Sequence, residues 1–351
     1  MIQFFLIFYI LISQALTLEG RSICRPVDHS VPVITVSSTD PAFEKSWTAL
    51  NKSFTFEKKE HRLKSNFLRL RPIKKGFDQQ FFQEQYLPIG FIKFRDKADK
   101  VSTSILSKLA NELVEEIKVG QQKFTHFDIL KDKDFNYKTL SGLIVAKFKN
   151  YPFVIKISIE HPHTMIQPFS KSFETDCIFV LGGNLRHLSN FTRIANLERI
   201  KSILKYNPFF VDSLDFPRKW YWRPDRCHDL KIIWRCNGTT EEMLLPSVYA
   251  TISDFIKTDK IQPQQELNKI AMKVAIDTGF LIDPHAGNFV IEQETNKIVL
   301  LDTEDFRMMA GLDKSMKAKK YLGWYIELAS NCFHKYCFRT KQERIDQCTL
   351  I

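Results

Sequence analysis

Asp283, Asn288 and Asp302 stand within one run from Gly279 to Phe306, GFLIDPHAGNFVIEQETNKIVLLDTEDF. Two short apolar runs, 289–292 and 297–301, flank a polar turn at 293–296 and predict a hairpin that brings the two ends of the segment together. Phosphoryl transfer asks little covalent work of a protein. It needs a carboxylate to orient the acceptor and hard oxygen ligands for a Mg²⁺ that bridges the nucleotide phosphates. In that chemistry Asp283 is the base or orienting group, and Asn288 and Asp302 hold the metal. The cation for the phosphates is expected at Lys156 in FVIKIS, placed mid-strand with Ile155 and Ile157 on the other side of the sheet.

The elements that must position these groups follow from periodicity. Val101, Ile105, Leu109, Leu113 and Ile117 share one face, which predicts a helix over about 97–119 with Gly120 at its end. The stretch LSGLIVAKFKNYPFVIKISIE reads as two strands around a turn at 149–152. A second helix is expected from Ser189, with a Ser or Asn N-cap and with Ile194, Leu197, Ile200 and Leu204 inward. A third opens at Pro263 and closes at Gly279, with Leu267, Ile270, Val274 and Ala275 as its buried stripe.

FVIK, the helix ending DTGFLIDPHAGNFVI, and KIVLLD together resemble the protein-kinase-like fold superfamily. DPHAGN in particular is similar to the catalytic loop of atypical kinases related to ubiquinone-biosynthesis regulators and of small-molecule phosphotransferases. The resemblance covers roughly residues 139 to 306. It implies that Lys156 is the strand lysine, Asp283 the catalytic aspartate, Asn288 the catalytic-loop asparagine and Asp302 the metal aspartate. The helix glutamate that pairs with the strand lysine is assigned to Glu198 rather than Glu174. ATP and Mg²⁺ are the implied cofactors, and the acceptor is open. The pattern departs from protein kinases at Thr303-Glu304-Asp305, where Phe-Gly would stand, and offers only Gly142 in place of a glycine-rich loop.

The expected fold is α+β: a protein-kinase-like two-lobed fold with a reduced C-terminal lobe and an irregular N-terminal extension. Its expected divisions are a signal peptide over 1–15, the extension over 16–130, an N-lobe-like region over 131–255 and a C-lobe-like region over 256–351. The apolar core from Ile2 to Ile12, followed by Ser13-Gln14-Ala15, reads as a secretory signal, which places the protein outside the cytoplasm, or membrane-anchored if uncleaved. Seven cysteines admit local pairs, Cys227 with Cys236 and Cys332 with Cys337 or Cys348, or a set of buried thiols. Asn51, Asn190 and Asn237 are glycosylation sequons. The net charge of +11 is scattered along the chain without a nucleic-acid-binding motif, so no nucleic-acid partner and no stable membrane span after cleavage are expected. Two other function classes stay open: a pseudokinase that keeps the fold without turnover, and a secreted binding or interaction protein.

Overall fold

Alternation along FVIKISI decides the central strand. Phe153, Ile155, Ile157 and Ile159 are buried on one face, while Val154 and Lys156 are half-buried on the other. The computed structural model describes residues 33–39, 55–57, 78–95, 97–161, 187, 190–236, 239–259 and 261–306. Within them run β1 (Val33–Ser38), β2 (Thr55–Glu57), α1 (Gln79–Glu84), β3 (Phe91–Lys93), β4 (Lys100–Ser102) and α2 (Thr103–Lys118). There follow β5 (Phe127–Asn136), β6 (Ser141–Phe148), β7 (Phe153–Ile159), α3 (Thr192–Leu204), β8 (Leu214–Asp215) and β9 (Lys219–Trp222). The chain continues through β10 (Asp229–Cys236), β11 (Thr239–Pro246), β12 (Val248–Asp254) and α4 (Gln264–Asp277), then a 3₁₀ turn (Ala286–Asn288), β13 (Phe289–Ile291) and β14 (Ile298–Leu300).

The architecture is α+β with sheet predominating. A five-stranded antiparallel sheet has the order β5-β6-β7-β12-β9, so β7, which carries Lys156, lies at its centre. The β10–β11 hairpin leaves this sheet and pairs with β1 in a separate four-stranded sheet, while β13 and β14 form a small sheet in which β14 pairs parallel to β8.

Two hydrophobic cores organise these layers. In the first, Leu106, Ala110, Leu113, Val114 and Ile117 of α2 join Ile144, Ile155, Ile157, Ile252 and Trp222. In the second, Ile200 and Leu204 of α3 meet Leu267, Ala271, Val274 and Ala275 of α4, with Phe280, Ile282, Phe289 and Leu300. Each fully buried branched residue contributes roughly 1.5–3 kcal/mol, so both layers are fastened by apolar contact before any charge is considered.

Several expectations are corrected. The first helix begins at Thr103 because Lys100–Ser102 pairs with Phe91–Lys93 as a strand. The division at 130/131 falls inside β5, and α2 shares its core with the sheet, so this helix does not belong to an irregular extension. Gly120 does follow the helix in the left-handed region, at φ +77°. The second helix begins at Thr192, and its N-cap is Phe191 without a side-chain bond rather than Ser or Asn. Its four expected apolar residues are all buried. Cys227 is a free thiol, so it is not paired with Cys236. Asn190 is buried and donates to Ser158 Oγ at 2.8 Å, which removes it as a glycan acceptor. Residues 1–15, the other sequons, Cys24, Cys177 and the cysteines at 332, 337 and 348 lie outside the described residues. Among the described residues, no helix is long and apolar enough to cross a membrane.

Candidate functional site

The hairpin determines where Asp302 falls. Phe289 pairs with Leu300, and one step beyond the ladder Leu301 N donates to Asn288 O at 2.8 Å, so Asn288 and Asp302 emerge side by side from adjacent strands. At the other end, Asn288 Nδ2 donates to Asp283 O at 3.0 Å, which spans the loop and leaves the amide oxygen out of that bond. The 3₁₀ turn is closed by Gly287 N donating to His285 Nδ1 at 2.9 Å. A Cβ at position 287 would stand 2.9 Å from that same ring nitrogen, so a larger residue there would have to displace the His285 ring. Ahead of it, Gly279 and Phe280 both take positive φ, +64° and +61°. For Phe280 this is a strained conformation, held because its ring is fully buried in the second core.

Lys156 meets this loop from the sheet. Its Nζ donates to Asp302 Oδ2 at 2.9 Å, on the face opposite Ile155 and Ile157. Two more cations converge on the same acid. Arg193 of α3 donates from Nε to Asp302 Oδ1 at 3.2 Å and from Nη2 to Glu304 Oε2 at 2.6 Å, and its third nitrogen bonds Asn190 Oδ1. Lys219 of β9 donates to Leu301 O at 2.8 Å and to the Thr303 side-chain Oγ1 at 2.7 Å, holding the residues on both sides of Asp302. Thr303 Oγ1 in turn donates to Arg193 O at 2.6 Å. Asn196 Nδ2 bridges Leu281 O at 2.9 Å and Thr303 O at 3.0 Å.

These contacts set the charge states. Burial works against the Asp302 carboxylate, but Arg193, Lys156 and Lys219 outweigh it and hold the group well below the usual carboxylate range. Burial, reinforced by the Arg193 guanidinium, lowers Lys156 despite its acidic partner. Burial, with Lys156, Arg193 and Lys201 outweighing Asp302, holds Lys219 well below its ordinary value. Asp283 moves the other way. Burial, with Asp302 and Glu304 adding like charge against the opposing His285, pushes it up to about 6, a value suited to taking or orienting a proton near neutral pH.

The structure thus brings Lys156 and Asp302 into direct contact and joins Asn288 to the Asp283 backbone. Glu198 is not brought in: it is 58% exposed and pairs with Lys201 at 3.0 Å. Glu174 lies outside the described residues. Three polar participants, Arg193, Asn196 and Lys219, belong to no motif in the sequence, and Thr303 stands there only as a departure from the kinase pattern. For the first two a signal existed, since Arg193 lies four residues before Leu197 and Asn196 four before Ile200, on the stripe read as apolar.

Asn288 and Asp302 carry hard oxygens of the kind Mg²⁺ prefers, and they stand at the same end of the β13–β14 hairpin, but among the described residues no group of three or more His, Cys, Asp or Glu side chains could hold a metal ion. Both Asp302 oxygens already accept from cations, so a metal arriving there must displace or share with one of them. Comparison of the chain with protein families, with curated proteins and with solved structures finds no match.

Proposed function

We propose that the chain is a phosphotransferase of protein-kinase-like fold that uses ATP with Mg²⁺ on an acceptor hydroxyl. The observation that carries this reading is the Lys156–Asp302 pair. A lysine on the third strand of the five-stranded sheet and an acid at the end of a hairpin, 146 residues apart in sequence, meet at 2.9 Å. Protein kinases place their phosphate-binding lysine on the third strand and their metal aspartate after such a hairpin, with a catalytic aspartate and asparagine in the preceding loop. The two cores, one under the sheet and one around α4 and the loop, are consistent with the two-lobed form of that fold.

In this reading Lys156 binds nucleotide phosphate as a point charge. Asp283 orients the acceptor hydroxyl and takes its proton as the terminal phosphoryl group passes to the acceptor oxygen and ADP departs. Asn288 and Asp302 would hold Mg²⁺, which when bound neutralises charge on the phosphate oxygens. Lys219, Thr303 and Asn196 do not touch the reacting groups. They hold the backbone from 301 to 303 against α3 and β9.

A second reading, nucleotide binding without turnover, is favoured by one observation. The strand lysine has Asp302 itself as partner, because Glu198 faces solvent. In either reading export through residues 1–15 would require ATP from the receiving compartment or host. The deciding experiment is a thermal-shift titration of the purified chain with ATP, with and without Mg²⁺, followed by ADP release over hours. A Mg²⁺-dependent rise in Tm with ADP release supports transfer, a rise without ADP release supports the second reading, and no rise removes both.

A further inference from the structure

The turn that leads into β3 holds apolar side chains out in solvent. Ile89 is fully exposed, Phe91 is 64% exposed and Ile105 42%. Both ends of the turn are fixed. Leu87 is buried and its N–H donates to Tyr221 O at 2.8 Å, while Gly90 O accepts from Thr103 N at 2.9 Å and from Thr103 Oγ1 at 3.2 Å. Gly90 takes φ +114°, a conformation that other residues rarely adopt. Ile89 is thereby kept off the core, and the Thr103 bonds set the turn against the start of α2, where Ile105 stands.

Charge is added to the same tip by the two strands. Ile92 and Val101 turn inward, so Phe91, Lys93 and Lys100 share the outer face, and Lys100 Nζ lies 4.8 Å from the centroid of the Phe91 ring. Lys93 and Lys100 stand directly opposite each other in the ladder, where like charge is unfavourable. Neither forms an ion pair with a carboxylate of the described residues. In the loop beyond them Arg95 and Lys97 balance Asp96 and Asp99, so the uncompensated charge is that of the two strand lysines.

Scattered apolar residues on a surface need no special reason, but here they are grouped on one fixed turn beside unpaired cations. That combination suits the boundary of an anionic bilayer, where apolar side chains enter among the acyl chains and ammonium groups stay with the phosphates. A few side chains are too little for a stable protein complex, which takes about 800 Å² from each partner. We infer that the turn at 88–90 and the β3–β4 hairpin dock the protein on an anionic membrane surface, with Ile89 and Phe91 inserted and Lys93 and Lys100 at the headgroups. The net charge of +11 adds long-range attraction to the same surface. This contact lies on the bilayer without spanning it, and it is independent of the phosphotransfer reading.

The test is co-sedimentation of the full chain with vesicles of phosphatidylcholine alone and of phosphatidylcholine with about 30% phosphatidylserine. It compares the parent with Ile89→Ser/Phe91→Ser, with Lys93→Glu/Lys100→Glu and with the control Ile261→Ser, which alters an 88% exposed isoleucine outside the tip. The parent is expected to prefer the anionic vesicles by about tenfold or more, each tip variant to lose about tenfold or more on them, and the control to match the parent. Every altered side chain is exposed, so near-ultraviolet circular dichroism should be unchanged throughout. Tip variants that bind as the parent does, or a parent that binds both vesicles equally, would overturn the proposal. Hydrogen exchange locates the contact: amides of residues 87–93 should gain protection when anionic vesicles are added, and unchanged protection there would overturn it even if the chain binds through another segment. A parent that ignores both vesicles and self-associates through Ile89 and Phe91 in sedimentation equilibrium would assign the tip to a second copy of the chain instead.

Discussion

The side-chain amide of Asn196 donates to the carbonyl of Thr303 at 3.0 Å, and the same nitrogen reaches Leu281 O at 2.9 Å. One buried residue of α3 thus ties the segment leading to Asp283 to the segment leaving Asp302. Leu281 O keeps a second donor in Phe306 N at 3.0 Å, so the loss of Asn196 falls mainly on Thr303. Asn196→Ala is expected to cost about 1–3 kcal/mol, the penalty for one orphaned buried carbonyl and a small cavity. Asn196→Asp, which turns acceptor oxygens toward two carbonyls, should cost more. Urea unfolding of both variants checks the order, and an aspartate variant as stable as wild type would contradict the bridge.

Lys156→Met keeps the aliphatic stem in the sheet and removes the charge. Asp302 keeps Arg193 as a partner, so the fold should survive with a loss of about 1–2 kcal/mol. ATP affinity should fall by about tenfold or more, the loss of one well-placed phosphate contact. Isothermal titration measures both enthalpy and affinity, and equal affinity in variant and parent would take Lys156 out of the site.

Asp283 and Asp302 should fail differently. Asp302→Asn sets an amide against two cations, so it should lower stability by about 1–3 kcal/mol and abolish the Mg²⁺-dependent part of nucleotide binding. Asp283→Asn removes a carboxylate that burial penalises, so at pH 7 its Tm should rise while turnover is lost and binding is kept. Equal loss of fold in both variants would instead make them a turn residue and a strand cap.

Stability should depend on pH through groups with opposite signs. Burial drives the His187 imidazole down to about 4, and its Nε2 faces Pro246 O at 2.9 Å, so the folded protein keeps it neutral. The unfolded chain binds that proton below about 6.5, so His187 contributes stability that is present above about 6.5 and lost as pH falls toward 4. His161, lowered to about 4 by burial and by neighbouring His228, acts in the same direction. Asp283, raised to about 6, opposes them, because its penalty grows as pH rises from its unfolded value to about 6. With two histidines against one acid, net stability should fall on acidification from pH 6.5 to 4.5. In His187→Phe, which keeps ring packing against Tyr249, that fall should shrink by about 1–3 kcal/mol. An undiminished fall in urea unfolding at the two pH values would contradict the assignment.

The amphipathic stripe of α4, the alternation of β7 and the hairpin from 289 to 300 were legible in the sequence because each is a local pattern, set by apolar spacing and turn residues over a dozen or so positions. The same patterns put Lys156 in β7, Asn288 in the turn before β13 and Asp302 just beyond β14. That legibility did not extend to Glu198, although the four apolar residues expected on the same helix are all buried. The buried face of α3 holds Arg193, Ile194, Asn196, Leu197, Ile200 and Leu204, and the position after Leu197 turns outward by a helical step of about 100°. Sequence by itself determined α4, β7 and the hairpin from 289 to 300, and the side each presents. Tertiary structure alone decided that Arg193, Lys156 and Lys219 converge on Asp302 across chain separations that no local period records. A buried charge is stable only where a partner comes within a few ångströms, and that distance is set by how α3, β7, β9 and β14 pack, not by the order of residues in any of them.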